Sequence, residues 1–143
     1  VVTRVLCVMW HGDKLKTSRI VKYTFAILVA LTALSTFTSM VIGVDNLAAL
    51  SFGDYFIYQL LPPSMLAVVM YALMAKRDVT KAWSYAASVF LFGFLLGILI
   101  LSLLMQELYL PPTWFVDLPL SIASAIVGTL AGIKWGIKNA QRD

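Results

Sequence analysis

The sequence is poor in the residues that do chemistry. Cys7 is its only cysteine, so no disulfide can form within the chain, and dithiol exchange, which needs two sulfurs, is excluded for this chain alone. His11 is the only histidine. Beside Asp13 it reads as a solvated pair, because a metal site needs three or four converging ligands. There is no phosphate-cradling Gly-rich loop ending in Lys-Ser/Thr, no Gly-x-Ser-x-Gly elbow and no Cys/His cluster. These absences remove the commonest catalytic and metal chemistries. The sequence therefore predicts a protein that is not an enzyme and needs no cofactor.

Charge is also missing from long stretches. Residues 55–75, 82–106 and 118–133 contain no charged side chain, and residues 21–44 contain only Lys22, at their edge. A helix needs roughly 20 apolar residues to cross a hydrocarbon core of about 30 Å. The first three runs along the chain reach that length. The last does so by starting near Thr113 and taking in Asp117 at its end. The chain is 61% hydrophobic and 13% charged, against the ~45–50% apolar share of soluble domains. The expected fold is an all-α integral membrane protein of one domain, a four-helix transmembrane bundle with spans at about residues 19–44, 55–75, 82–106 and 113–133.

The charges that remain are segregated. All eleven Lys and Arg fall in three stretches: Arg4, Lys14, Lys16, Arg19 and Lys22; Lys76, Arg77 and Lys81; and Lys134, Lys138 and Arg142. Asp13, Asp78 and Asp143 lie among them. The other polar breaks carry Asp45, Asp54, Glu107 and Asp117 and no base, which accounts for the net charge of +4. Cytoplasmic loops are enriched in Lys and Arg. The pattern therefore predicts both termini in the cytoplasm, with residues 1–18 and 134–143 as cytoplasmic segments of an inner (plasma) membrane protein. Basic groups that flank spans meet anionic lipid headgroups first, and no soluble fold is left over to bind nucleic acid. The inner basic face of Lys76, Arg77, Lys81, Lys134 and Lys138 also suits an acidic cytoplasmic protein. Residues 1–10 lack the apolar core and small-residue cleavage site of a secretory signal. They read as a surface-lying segment with Trp10 at headgroup depth, or as an extension.

Local signals refine the spans. Pro62 and Pro63 remove two backbone donors and disfavour helical angles before them, which predicts a kink or restart in the second helix. The carbonyls of Tyr58 and Gln59 would then need other partners, since lipid offers none. The six residues 76–81 make the second and third spans antiparallel neighbours. Tyr109, Trp114 and Phe115 fit an interfacial aromatic belt, and Trp135 an anchor at the other interface. Leu61-Pro62-Pro63 recurs as Leu110-Pro111-Pro112, a candidate parallel repeat, although the flanking residues match poorly.

Three constellations bear on function. Ser124, Gly128, Gly132 and Gly136 recur every fourth residue, and Gly93 and Gly97 form a second such pair. Small residues at this spacing let helix backbones approach closely in lipid, within one chain or between subunits of a homo-oligomer. Thr32, Ser35, Thr36 and Ser39 share one helix face. With Gln59 they make a candidate pore or groove lining, or plain interhelical packing. The four acids could ring the outer mouth of an oligomeric pore, or simply occupy the side from which Lys and Arg are excluded.

No ionisable residue lies in the middle of any span, where a proton-coupled transporter keeps its coupling group. Four-span drug exporters of the small multidrug-resistance type place a glutamate inside the first span, and residues 19–44 have none. Fluoride-channel subunits, holin-like phage proteins and colicin-immunity proteins share the size and span number, but no motif links this chain to them. Two readings follow. One is a small homo-oligomeric, channel-like protein. The other is a non-conducting membrane anchor or regulatory subunit, such as a phage-defence or immunity component, that docks a cytoplasmic partner.

Overall fold

A computed structural model describes residues 16–43, 46, 50–107 and 114–141. Those residues are helical apart from short turns, and none of them is in a strand. Four helices are long and apolar enough to cross a membrane: α1, Thr17–Ile42; α2, Phe52–Arg77; α3, which follows a 3₁₀ turn at Val79–Lys81 and runs Ala82–Met105; and α4, Trp114–Ala140. This is a multi-pass membrane protein. Large apolar side chains cover its outside, among them Phe25, Phe37, Met40, Leu95, Leu99 and Leu130. In water such a surface would aggregate; in lipid it is the solvated face.

The helix ends follow local chemistry. Ser51 caps α2: its hydroxyl accepts the Asp54 N–H at 3.2 Å and donates to Asp54 Oδ2 at 2.7 Å, a serine N-cap held in place by the carboxylate. Gly43 ends α1 at φ +87, where its N–H reaches the Ser39 carbonyl at 3.0 Å, a conformation that glycine takes without a Cβ penalty. Two expected boundaries shift. The second helix begins at Phe52, ahead of residue 55, because the Ser51 cap precedes it. The fourth runs on through Lys134 and Trp135 to Ala140, because nothing in residues 134–140 breaks a helix.

Helix α2 meets Pro62 and Pro63 through a change of helical winding. Residues Phe56–Leu60 form a π-helical turn, and α-helical winding resumes at Leu61 with the prolines in its first turn. The Leu61 N–H closes the wide turn on the Phe56 carbonyl. A proline near the start of a helical segment forfeits little, because donors there lack intrahelical partners in any case. The wide turn thus supplies the new start that two prolines require.

Helices α2 and α4 run parallel and pack closest. Val68 and Tyr71 face Gly128, Ala72 and Ala75 face Gly132, and Lys76 and Val79 face Gly136. Burial is concentrated toward the end of the bundle that holds the basic residues. There Ile27, Tyr71, Met74, Tyr85, Ala86 and Val89 form the core with Ala67 and Ala125. The buried residues of α3 all lie in its first eight positions, Ala82 to Val89, and beyond them its side chains are partly buried or exposed. The bundle is close-packed at its basic end and open beside α3 toward its acidic end.

Candidate functional site

The hydroxyl face of α1 divides in two. Ser35 and Ser39 turn inward, where the Gln59 amide donates to Ser39 Oγ at 2.7 Å and Ser39 Oγ donates to the Ser35 carbonyl at 2.8 Å. Thr38, which the sequence reading passed over, joins them. Its Oγ1 lies 3.0 Å from Gln59 Oε1, 2.9 Å from the Leu34 carbonyl and 3.0 Å from the Ser35 carbonyl, so one proton is shared among three acceptors. Gln59 belongs to the π-helical turn, which places its amide between two α1 hydroxyls. These groups satisfy one another across the α1–α2 contact, as buried polar groups in lipid must. Thr32 and Thr36 are exposed on the outer surface of the chain. Within one chain the five residues therefore do not share one surface.

The small-residue stripe of α4 faces α2 of the same chain. A Cβ on Gly128 would stand 2.5 Å from the Val68 carbonyl, and one on Gly132 would strike the Ala72 carbonyl and stand 2.7 Å from Ala75 Cβ. At Gly136 it would meet Val79 Cγ2 at 2.5 Å. Ser124 is buried, and its hydroxyl bonds to the Leu120 carbonyl at 2.8 Å. Within one chain the stripe is already covered by α2 and the turn that follows it. Gly93 and Gly97 behave differently. A Cβ on Gly93 would make an ordinary 3.6 Å contact with the Thr24 methyl, and one on Gly97 would meet nothing within 4 Å.

Beside these two glycines lies a crevice of about 270 Å³ between α1, α3 and α4, with Ala67 and Tyr71 of α2 behind it. Thr24, Ile27 and Val89 mark its deep end, and Leu101, Trp114, Asp117 and Ser121 its end toward the acidic loops. Thr24 and Thr129 are buried with no hydrogen-bond partner for their hydroxyls. Thr129 lies beside the small-residue stripe of α4, where its spacing already put it, whereas Thr24 stands alone in its span and carries no sequence signal of its surroundings.

At the basic end, polar and ring contacts tie the helices together. The backbone N–H of Lys16 donates to the Tyr85 hydroxyl at 3.2 Å. Arg19 pairs with Asp78 at 3.4 Å, and the Thr80 hydroxyl donates to the same carboxylate at 3.0 Å. The Lys76 ammonium lies 3.9 Å from the centre of the Trp135 ring, a cation–π contact. Of the expected basic face, Arg77, Lys134 and Lys138 are exposed, while Lys76 and Lys81 are partly covered. Among the acids, Asp54 serves the α2 cap and Asp117 borders the crevice, while Glu107 is exposed. Asp45, Cys7, His11, Trp10, Tyr109 and the second Leu-Pro-Pro copy lie outside the described residues.

Comparison with protein-family models, curated proteins and solved structures finds no match for this chain.

Proposed function

We propose that this protein is a non-conducting multi-pass membrane subunit, held with its basic end in the cytoplasm, that anchors or regulates a partner docked on that end. The observation that carries this reading is the use of the Gln59 amide and the Thr38 and Ser39 hydroxyls as mutual partners between α1 and α2. A conducting wall presents its polar groups to the permeant ion; here they are spent on helix contacts. The orientation rests on the segregation of Lys and Arg. The docking face rests on exposed Arg77, Lys134 and Lys138, which would attract an acidic surface and lose that attraction in high salt.

Reconstitution in liposomes tests the first half. The expected outcome is no ion flux above that of empty vesicles under any imposed gradient. Charge reversal tests the second. Arg77→Glu, Lys134→Glu and Lys138→Glu together should release a partner captured in low salt while leaving the unfolding temperature in detergent near that of the parent chain. A partner retained by a well-folded triple variant would remove that face from the proposal.

A second reading has one observation in its favour. Thr32 and Thr36 lie exposed one helical turn apart, and several copies could bring such pairs around a common axis. That reading requires measurable flux that falls when Thr32 or Thr36 is changed to Leu.

A further inference from the structure

The α3 glycines are unlike those of α4. Gly128, Gly132 and Gly136 are required because another backbone occupies the space a side chain would need. No such contact exists at Gly97, and at Gly93 the β-carbon would make only an ordinary contact with a methyl group. Glycine in a helix interior is disfavoured by about 1 kcal/mol relative to Ala. At these two positions it leaves room without admitting a neighbouring helix of the same chain, and the room is the crevice itself, which both residues line.

The form of the crevice specifies its guest. Its α3 wall runs from Val89 to Leu101, about 18 Å of helix rise, so it is long in the direction of the spans. Its walls are apolar along Ile27, Leu28, Leu31, Phe90 and Phe94, and its polar groups at the acidic end are Asp117 and Ser121, beside the Trp114 ring. A long apolar bore with a polar mouth near the interface matches one hydrocarbon chain attached to a headgroup. The Asp117 carboxylate at that mouth repels an anionic head and accepts a neutral or zwitterionic one.

We infer that this crevice is a lipid site, taking one acyl chain of a bilayer phospholipid with a zwitterionic head, inserted from the acidic end and lying against Gly93 and Gly97. The site is separate from the docking face at the basic end and does not depend on it. An intercalated chain would fill the crevice beside the distal turns of α3.

The full chain in nanodiscs of phosphatidylcholine, doped with phosphatidylcholine carrying a diazirine on one acyl chain, provides the test. After irradiation, peptide mass spectrometry should place adducts on Phe90, Phe94 or Tyr71 as well as on the outward-facing Leu95 and Leu99. Gly97→Leu puts a side chain into the crevice at a position where a β-carbon meets nothing within 4 Å. It should reduce adducts on the lining several-fold and leave those on Leu95 and Leu99 unchanged, with thermal stability preserved. Ser121→Leu narrows the mouth from the opposite wall and should do the same if Gly97→Leu proves unstable. A phosphatidylglycerol probe with the same diazirine should label the lining several-fold less than phosphatidylcholine does. Lining adducts that are absent, or that persist in both filled variants, would overturn the proposal. So would equal labelling by the two headgroups. A disulfide-linked dimer formed by Gly97→Cys in a Cys7→Ser background would assign the crevice to a second copy of the chain and overturn it as well.

Discussion

Gly132 of α4 lies so close to Ala75 of α2 that a β-carbon on the glycine would stand 2.7 Å from the alanine's own. Ordinary carbon contacts are nearer 3.5–4.0 Å, so neither helix can accept a larger residue without moving its backbone. Gly132→Leu should therefore destabilise the bundle by the upper part of the ~1–3 kcal/mol typical of overpacking, or by more. Thermal unfolding in detergent, followed by tryptophan fluorescence, checks it. Gly97→Ala should be neutral or stabilising by up to about 1 kcal/mol, because its new methyl meets open space.

Removing Gln59 tests the polar link between α1 and α2. Interhelical hydrogen bonds in membrane proteins average about 0.6 kcal/mol and reach about 1.7. Gln59→Leu breaks two, so a loss of roughly 1–2 kcal/mol is expected. A double-mutant cycle with Ser39→Ala should give a coupling energy distinct from zero, and a cycle of Gln59→Leu with the exposed Thr32→Ala should give none.

The two buried hydroxyls without partners predict gains. A buried polar group left unpaired costs about 1–3 kcal/mol, and valine keeps the shape of threonine while discarding the hydroxyl. Thr129→Val and Thr24→Val should each raise the unfolding temperature. A fall at either position would mean that its hydroxyl is engaged.

The contacts at the basic end should separate by salt. The exposed Arg19–Asp78 pair is worth about 0–1 kcal/mol and should fade in 1 M salt, where the Debye length is about 3 Å. The Lys76–Trp135 contact, about 0.5–2 kcal/mol, depends also on the ring face. Trp135→Leu should therefore cost more than Lys76→Arg in the same unfolding assay, since arginine also stacks on aromatic faces.

The four spans were legible because hydropathy and charge are properties of whole segments, and lipid enforces them residue by residue. Which side chains meet is a property of pairs, and the sequence carries less of it. The period of four in Ser124, Gly128, Gly132 and Gly136 announces a close approach without naming the approaching backbone. Gly97 has the same spacing from Gly93 and faces open space. The hydroxyl face of α1 was drawn through Thr32 and Thr36 and missed Thr38, because its facing is decided by Gln59, and Gln59 is aimed by a π-helical turn that hydropathy does not reveal. Pro62 and Pro63 signalled a change in α2, but the change falls one turn earlier, where the chain can widen before the missing donors matter. Arg19 and Asp78 meet across 59 positions, beyond any local pattern.

The parallel pairing of α2 with α4 also sets a schedule for biogenesis. Helices enter the bilayer in the order of synthesis, and the surface of α2 around Ala72 and Ala75 has no glycine-bearing partner until α4 follows. A ribosome stalled before Trp114 would leave three inserted helices with the tightest seam unmade. Final assembly thus waits for the synthesis of α4, and nascent chains cut short before it should be preferred substrates for membrane proteases.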